Sequence, residues 1–96
     1  MAKLHLKGYI LYLLSTQASG LWDHQIAERV MKEYGVSGLY WHGTVRLTLT
    51  DLYASGLIEV VEEKLDDGTY FGKDKILICY ALSDFGRERL SEALIA

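Results

Sequence analysis

The chain has no run of basic residues. Ten Lys and Arg stand against thirteen Asp and Glu in 96 residues, a formal net charge of -3. No tail or cluster supplies the electrostatic footprint that a nucleic-acid binder normally shows. There is a single cysteine, Cys79, which excludes an intrachain disulfide and makes a reducing cytoplasm the simplest location, with the thiol as core filler. A long hydrophobic run is also missing. Lys3, Lys7, the apolar segment Tyr9 to Leu14 and "STQASG" loosely imitate a signal peptide. The apolar segment is far shorter than the roughly 20 residues a membrane span needs, so no membrane partner is expected. Without repeats, low-complexity stretches or linkers, residues 1–96 suit a single domain, and half of them are hydrophobic, enough for a real core.

Catalytic and metal-binding patterns are absent as well. There is no phosphate-cradling glycine loop and no Ser or Cys set beside a base in a recognisable motif. His5, His24 and His42 with Cys79 lack metal-ligand spacing. Neither an enzyme, a cofactor nor a metal site is expected.

What is present is a sequence of amphipathic elements. Leu4, Leu6, Tyr9, Ile10, Leu11, Tyr12, Leu13 and Leu14 make a first helix that is apolar on nearly every side, so part of it is expected to meet a partner chain. "TQASG" reads as a loop and Asp23 as the N-cap of a second helix, His24 to Tyr34, with Ile26, Val30, Met31 and Tyr34 as its buried stripe and Gly35 as its stop. A third helix, His42 to Ser55, buries Val45, Leu49 and Leu52, with Thr48 and Tyr53 at the edges of that arc. Its opposite face presents Thr44, Leu47, Thr50, Asp51 and Ala54, with Arg46 at the flank. Beyond Gly56, "LIEVVEEKL" and "KILICYAL" flank "DDGTYFGKD", the pattern of a two-stranded antiparallel hairpin. Ser83 caps a last helix with Asp84 in its first turn and Leu90, Ala93 and Leu94 on one face.

The expected fold is therefore α+β, mostly α: a winged helix-turn-helix of three helices, a two-stranded wing and a C-terminal helix. In such folds the third helix lies in the major groove and the wing touches the flanking backbone. Charge is distributed unevenly against this frame. Residues 1–56 hold five basic and four acidic residues, 57–75 three and six, and 76–96 two and three, which concentrates acid in the wing. Glu59, Glu62, Glu63, Asp66 and Asp67 read as a charged edge that discourages sheet-to-sheet association, or as acid that repels DNA or pairs with a basic protein.

"GTVRLTLTDLYASGLIEV" followed by a wing and "YALSDFGRERL" resembles the PadR family of winged-helix transcriptional regulators. The resemblance rests on Gly43-Thr44-Val45, Leu49, Leu52, Gly56-Leu57-Ile58, Tyr80, Leu82 and the segment Ser83 to Leu90, and it runs over residues 4–94. It implies a homodimeric, repressor-like protein whose third helix reads double-stranded DNA and whose terminal helices form the dimer. Leu4, Leu6, Leu11, Leu90 and Leu94 are the candidate interface. The sequence departs from the family pattern at Trp41-His42, at Arg46-Leu47 and in its sparsely basic wing.

Candidate DNA contacts are Gln25, His42, Thr44, Arg46, Leu47, Thr48 and Thr50, with Lys73 and Lys75 from the wing segment 64–75. Arg46 suits a phosphate or a guanine edge, or pairs with an acidic neighbour. The threonines suit phosphates and thymine methyl groups, or are solvated filler. Trp22, Tyr40 and Trp41 form either an aromatic patch for a small apolar effector or the plug between the second and third helices. Against the DNA-reading regulator stands a winged-helix protein-interaction module that does not bind DNA.

Overall fold

The computed structural model describes residues 5–95, and side chains as far as residue 92. Leu4 and the Leu94 side chain, two of the candidate interface residues, lie outside that description. The order is α1 (Leu6–Ser15), β1 (Leu21–Trp22), α2 (Asp23–Tyr34), α3 (Leu39–Ala54), β2 (Ile58–Leu65), β3 (Ile76–Leu82) and α4 (Asp84–Ile95). Helices α1–α4 enclose one core with the inner side of the sheet. Ile10 and Leu14 of α1, Ile26 and Val30 of α2, Val45, Leu49 and Leu52 of α3, Ile58 of β2 and Leu77 of β3 are almost wholly withdrawn from water. Each such aliphatic side chain is worth about 1.5–3 kcal/mol of transfer free energy. Among the described residues no helix is long and apolar enough to cross a membrane.

The sheet has three strands where the sequence indicates two. Its order is β1-β3-β2, antiparallel throughout, with Leu21 opposite Tyr80, Trp22 opposite Cys79, and β2 paired to β3 from Ile58–Leu82 to Leu65–Ile76. A two-residue strand is too short to display period-2 alternation. It forms because Gly20, at φ +95°, lets the backbone pass so close to β3 that a Cβ there would sit 2.7 Å from the Tyr80 carbonyl oxygen. The central strand β3 is the buried one, carrying Leu77, Cys79, Tyr80, Ala81 and Leu82 inside. Burial pushes the Cys79 thiol above its ordinary pKa, as befits a core thiol. Strand β2 is an edge on which only Ile58 is buried, with a bulge between Val60 and Glu62. Its glutamates stand in solvent.

Two helix starts move relative to the sequence reading. Trp22, not Asp23, holds the N-cap position of α2. The Gln25 side chain accepts the Trp22 N–H at 2.9 Å, while Asp23 turns inward, where its carboxylate accepts the N–H groups of His24 at 2.8 Å and Ile78 at 3.2 Å. Asp23 thereby ties α2 to β3, a long-range role that local capping preference does not anticipate. Helix α3 starts three residues early, at Leu39, because the Gly38 carbonyl accepts the N–H groups of Trp41 and His42. Gly35 ends α2 as expected, and α3 ends before Gly56, where the Leu57 N–H returns to the Leu52 carbonyl.

The terminal helices pack on each other within the chain. Leu11 and Leu90, candidate dimer contacts, are buried in the chain's own core. Leu6 is half-buried against it. Of the apolar α1 surface, Tyr12 remains 44% exposed. The correction is one of covering: α4 and β3, brought back by the chain's topology, hide most of what α1 alone leaves bare.

Helix α4 is fastened at its first turn. The Ser83 hydroxyl accepts the Gly86 N–H at 2.9 Å and donates to the Gly56 carbonyl at 2.6 Å, and the Ser83 N–H reaches the Leu57 carbonyl at 3.2 Å. A Cβ on Gly86 would lie 2.0 Å from the Leu57 carbonyl oxygen. Gly86→Ala is therefore expected to cost about 3 kcal/mol or more, at the upper end of overpacking penalties. Gly8→Ala, where nothing lies within 4 Å of the added carbon, is the control, and urea denaturation of both variants compares them.

Candidate nucleic-acid interface

Helix α3 presents a face that no other element covers among the described residues. Val45, Thr48, Leu49 and Leu52 point inward, which leaves Leu39, Tyr40, Gly43, Leu47, Thr50, Asp51 and Ala54 outside at a spacing of three and four residues. Leu39 is 89%, Tyr40 75% and Leu47 70% exposed. Thr48, a candidate DNA contact, is on the inner side at 9% exposure, and its hydroxyl donates to the Thr44 carbonyl at 2.8 Å. The 100° step already set it near the buried arc, and the folded chain places it within that arc. The hydroxyls of Thr44 and Thr50 donate to the carbonyls of Tyr40 and Arg46, at 2.9 and 3.0 Å. Their protons are used within the helix.

The wing loop, 66–75, is built around a carboxylate. Asp66 accepts the backbone N–H groups of Gly68, Tyr70, Phe71 and Gly72, at 2.6 to 3.3 Å. Its own N–H donates to the Lys75 carbonyl, and its carbonyl accepts from Asp74. Withdrawal from water alone would raise the pKa of this group, but the four N–H donors outweigh it and hold the carboxyl at about 2. Asp67 repeats the motif on a smaller scale, accepting from the backbone and hydroxyl of Thr69. These bonds fix the two wing aromatics against the helices. Tyr70 stacks on His24, with ring centroids 3.7 Å apart, while Phe71 meets the edge of His42 at 5.6 Å and lies under the Arg46 guanidinium at 4.7 Å.

Helix and wing thus form one surface, and the candidate contacts divide accordingly. Lys73 and Lys75 are exposed on the wing beside α3. Arg46 and His42 are half-buried and engaged with Phe71. Gln25 is exposed but serves as the cap of α2. Between α3 and β3 runs a groove of about 390 Å³ walled by Gly43, Arg46, Leu47, Thr50, Ile78 and Tyr80. Asp23 stands at its floor, where burial pushes its carboxyl above the ordinary range, against the opposing pull of the Ile78 and His24 N–H groups and the Arg46 charge.

The aromatic trio separates into two places. Tyr40 and Trp41 pack edge to face at 5.4 Å at the start of α3. Trp22 stacks with His24 at 6.4 Å and carries the Lys64 ammonium 4.7 Å over its ring. Sequence reasoning did not identify Asp66, Tyr70, Phe71 or Leu39 as parts of the surface. "DDG" is an available Asx-turn signal for Asp66. Nothing local marks Phe71, whose partners are about 25 to 30 residues away in sequence.

Three helices, a wing pinned to the third and a fourth helix behind define a winged helix-turn-helix protein. No family model and no curated protein matches the chain, but solved structures do. H. salinarum RosR is 24% identical with a TM-score of 0.71, over 96% of this chain and 71% of that one. A PadR-like transcriptional regulator from Bacillus cereus is 23% identical with a TM-score of 0.65, over 91% and 75%. The fold is that of PadR-like winged-helix structures, with the third strand β1 completing the sheet.

The Asp66 geometry has a defined pH signature. An unfolded Asp66 takes up its proton near the ordinary value of 3.8, whereas the folded one holds it off until about 2. Across that interval the unfolded chain binds more protons, so the stabilisation is complete above the upper value and is lost as pH falls through the lower one. Asp66→Asn is expected to flatten this acid limb in denaturation measured against pH, and to speed amide exchange at Gly68, Tyr70, Phe71 and Gly72. Gly43→Ala is expected to do the reverse to stability. Nothing lies within 4 Å of the added carbon, so the variant should gain about 0.5–1 kcal/mol, the cost of a mid-helix glycine, read as a higher urea midpoint.

Proposed function

We propose that this chain is a DNA-binding transcriptional regulator of PadR-like type, acting as a homodimeric repressor on a pseudo-palindromic operator. The observation that carries the reading is the joining of α3 and the wing into one surface through Phe71, His42 and Arg46. A helix held beside a wing matches the way winged folds enter a major groove and touch the flanking backbone together. Lys73 and Lys75 meet phosphates, and the exposed face of α3 meets base edges. Arg46 lays its guanidinium over Phe71 and so holds the wing to α3 in this scheme, with its edge N–H groups left to meet a phosphate. Two copies associate through the rim of α1 and α4, where Tyr12 and Phe85 remain about half exposed, and bind half-sites about one helical turn apart. An apolar effector at Tyr40 and Trp41 would act at the start of the reading helix.

A second reading has its own observation. Leu39, Tyr40 and Leu47 are exposed on a helix that carries one acidic residue outward, beside a glutamate-lined edge strand. That combination also suits a basic, partly apolar protein partner.

Gel shift with genomic fragments at low salt, followed by a salt titration, tests the first reading. Wild type is expected to bind, with weak salt dependence for a DNA binder. Lys73→Ala combined with Lys75→Ala should lower the slope of log K against log salt by about 2 per chain, close to one per phosphate contact. Arg46→Ala should weaken binding and raise exchange in the wing loop. Absence of any shift, with capture of a basic protein, would favour the interaction module.

A further inference from the structure

The outer face of α3 has little with which to read guanine or adenine by the usual bidentate bonds. Direct readout of those bases relies on Arg or Lys paired to guanine O6 and N7, and on Asn or Gln paired to adenine N6 and N7. Leu39, Tyr40, Gly43, Leu47, Thr50, Asp51 and Ala54 include none of these four residue types. The helix's single basic side chain, Arg46, is half-buried over Phe71. The Thr50 hydroxyl proton is directed at the Arg46 carbonyl.

Apart from Asp51, whose carboxylate suits a cytosine N4 donor, what the face offers is chiefly apolar. Leu39 and Leu47 are 89% and 70% exposed on the same side, two helical turns apart, or about 12 Å along the axis at 1.5 Å per residue. Gly43 lies between them. Its missing side chain satisfies no internal packing need, since a Cβ there would meet nothing within 4 Å. It opens a notch between the leucines through which another molecule can approach the helix backbone. The one major-groove base-edge feature recognised by apolar contact is the C5-methyl group of thymine. A spacing of about 12 Å corresponds to between three and four base-pair steps of 3.4 Å.

We infer that α3 selects its DNA by burying thymine C5-methyl groups against Leu39 and Leu47, so that the preferred duplex is thymine-rich and is told from others by its methyl groups. The inference rests on the DNA-binding reading above and adds the chemistry by which bases are distinguished. The wing lysines contribute affinity without regard to sequence; the leucines supply the choice.

The test removes the methyl group and nothing else. The purified 96-residue chain is titrated at low salt, with fluorescence anisotropy, into duplexes of about two turns made of alternating dA and dT, and into the same duplexes with deoxyuridine in place of dT. Alternating dG and dC duplexes, with and without a methyl at cytosine C5, form the second pair. The methylated member of each pair should bind more tightly, by about fourfold per methyl buried and about fifteenfold for two, from ~0.8 kcal/mol per buried carbon and 1.4 kcal/mol per decade. Leu47→Ala should shrink that ratio while leaving the salt slope unchanged, and Leu47→Met should restore part of it. Because Leu47 is mostly exposed, these variants keep the fold, which circular dichroism checks.

Tight binding that ignores the methyl group in both pairs would overturn the inference and leave the DNA-binding reading standing. So would a Leu47→Ala loss equal for methylated and unmethylated duplexes. No binding to any duplex or to genomic fragments would overturn the DNA-binding reading itself.

Discussion

The surface shared by α3 and the wing depends on one carboxylate. Asp66 gathers four backbone N–H groups of its own loop, and in doing so gives a ten-residue connection one conformation instead of many. Ordering a loop costs conformational entropy at every residue. A charged acceptor offsets that cost better than a neutral one, because charge-assisted hydrogen bonds are the stronger kind. The consequence is spatial. Tyr70 and Phe71 are delivered to His24, His42 and Arg46, and the wing becomes a continuation of α3.

The same economy governs the acids elsewhere. Asp23, which local preference assigns to a helix cap, is drawn inside to hold Ile78 of the central strand. Asp66 is drawn into its loop. The remaining acids of the wing region lie on the exposed edge strand and the outer part of the loop, where they oppose edge pairing with another sheet. A chain with net negative charge can therefore carry a helix-and-wing surface that is itself neither strongly basic nor acidic, with Lys73, Lys75 and Asp51 all exposed. In the proposed function such a surface relies on shape and apolar contact more than on long-range attraction.

Much of this was legible in the sequence. The four helices, the hairpin, the buried stripe of α2, the inner residues Val45, Leu49 and Leu52, and the Ser83 cap all follow from periodicity and turn chemistry, which are local properties. The misses share a physical origin. Strand β1 exists only because β3 is there to pair with it. Asp23 turns inward only because Ile78 arrives with an unpaired N–H. Leu11 and Leu90 are covered only because the terminal helices meet within one chain. Each of these is decided by a residue distant in sequence.

The sequence by itself determined the order of elements and which face of each is apolar, because backbone sterics and side-chain period act over a few residues. Tertiary structure alone decided which of those faces remain open. It laid Arg46 over Phe71, hid Leu11 and left Leu39 and Leu47 bare, because exposure is a property of what packs opposite, and only the folded chain puts one element opposite another.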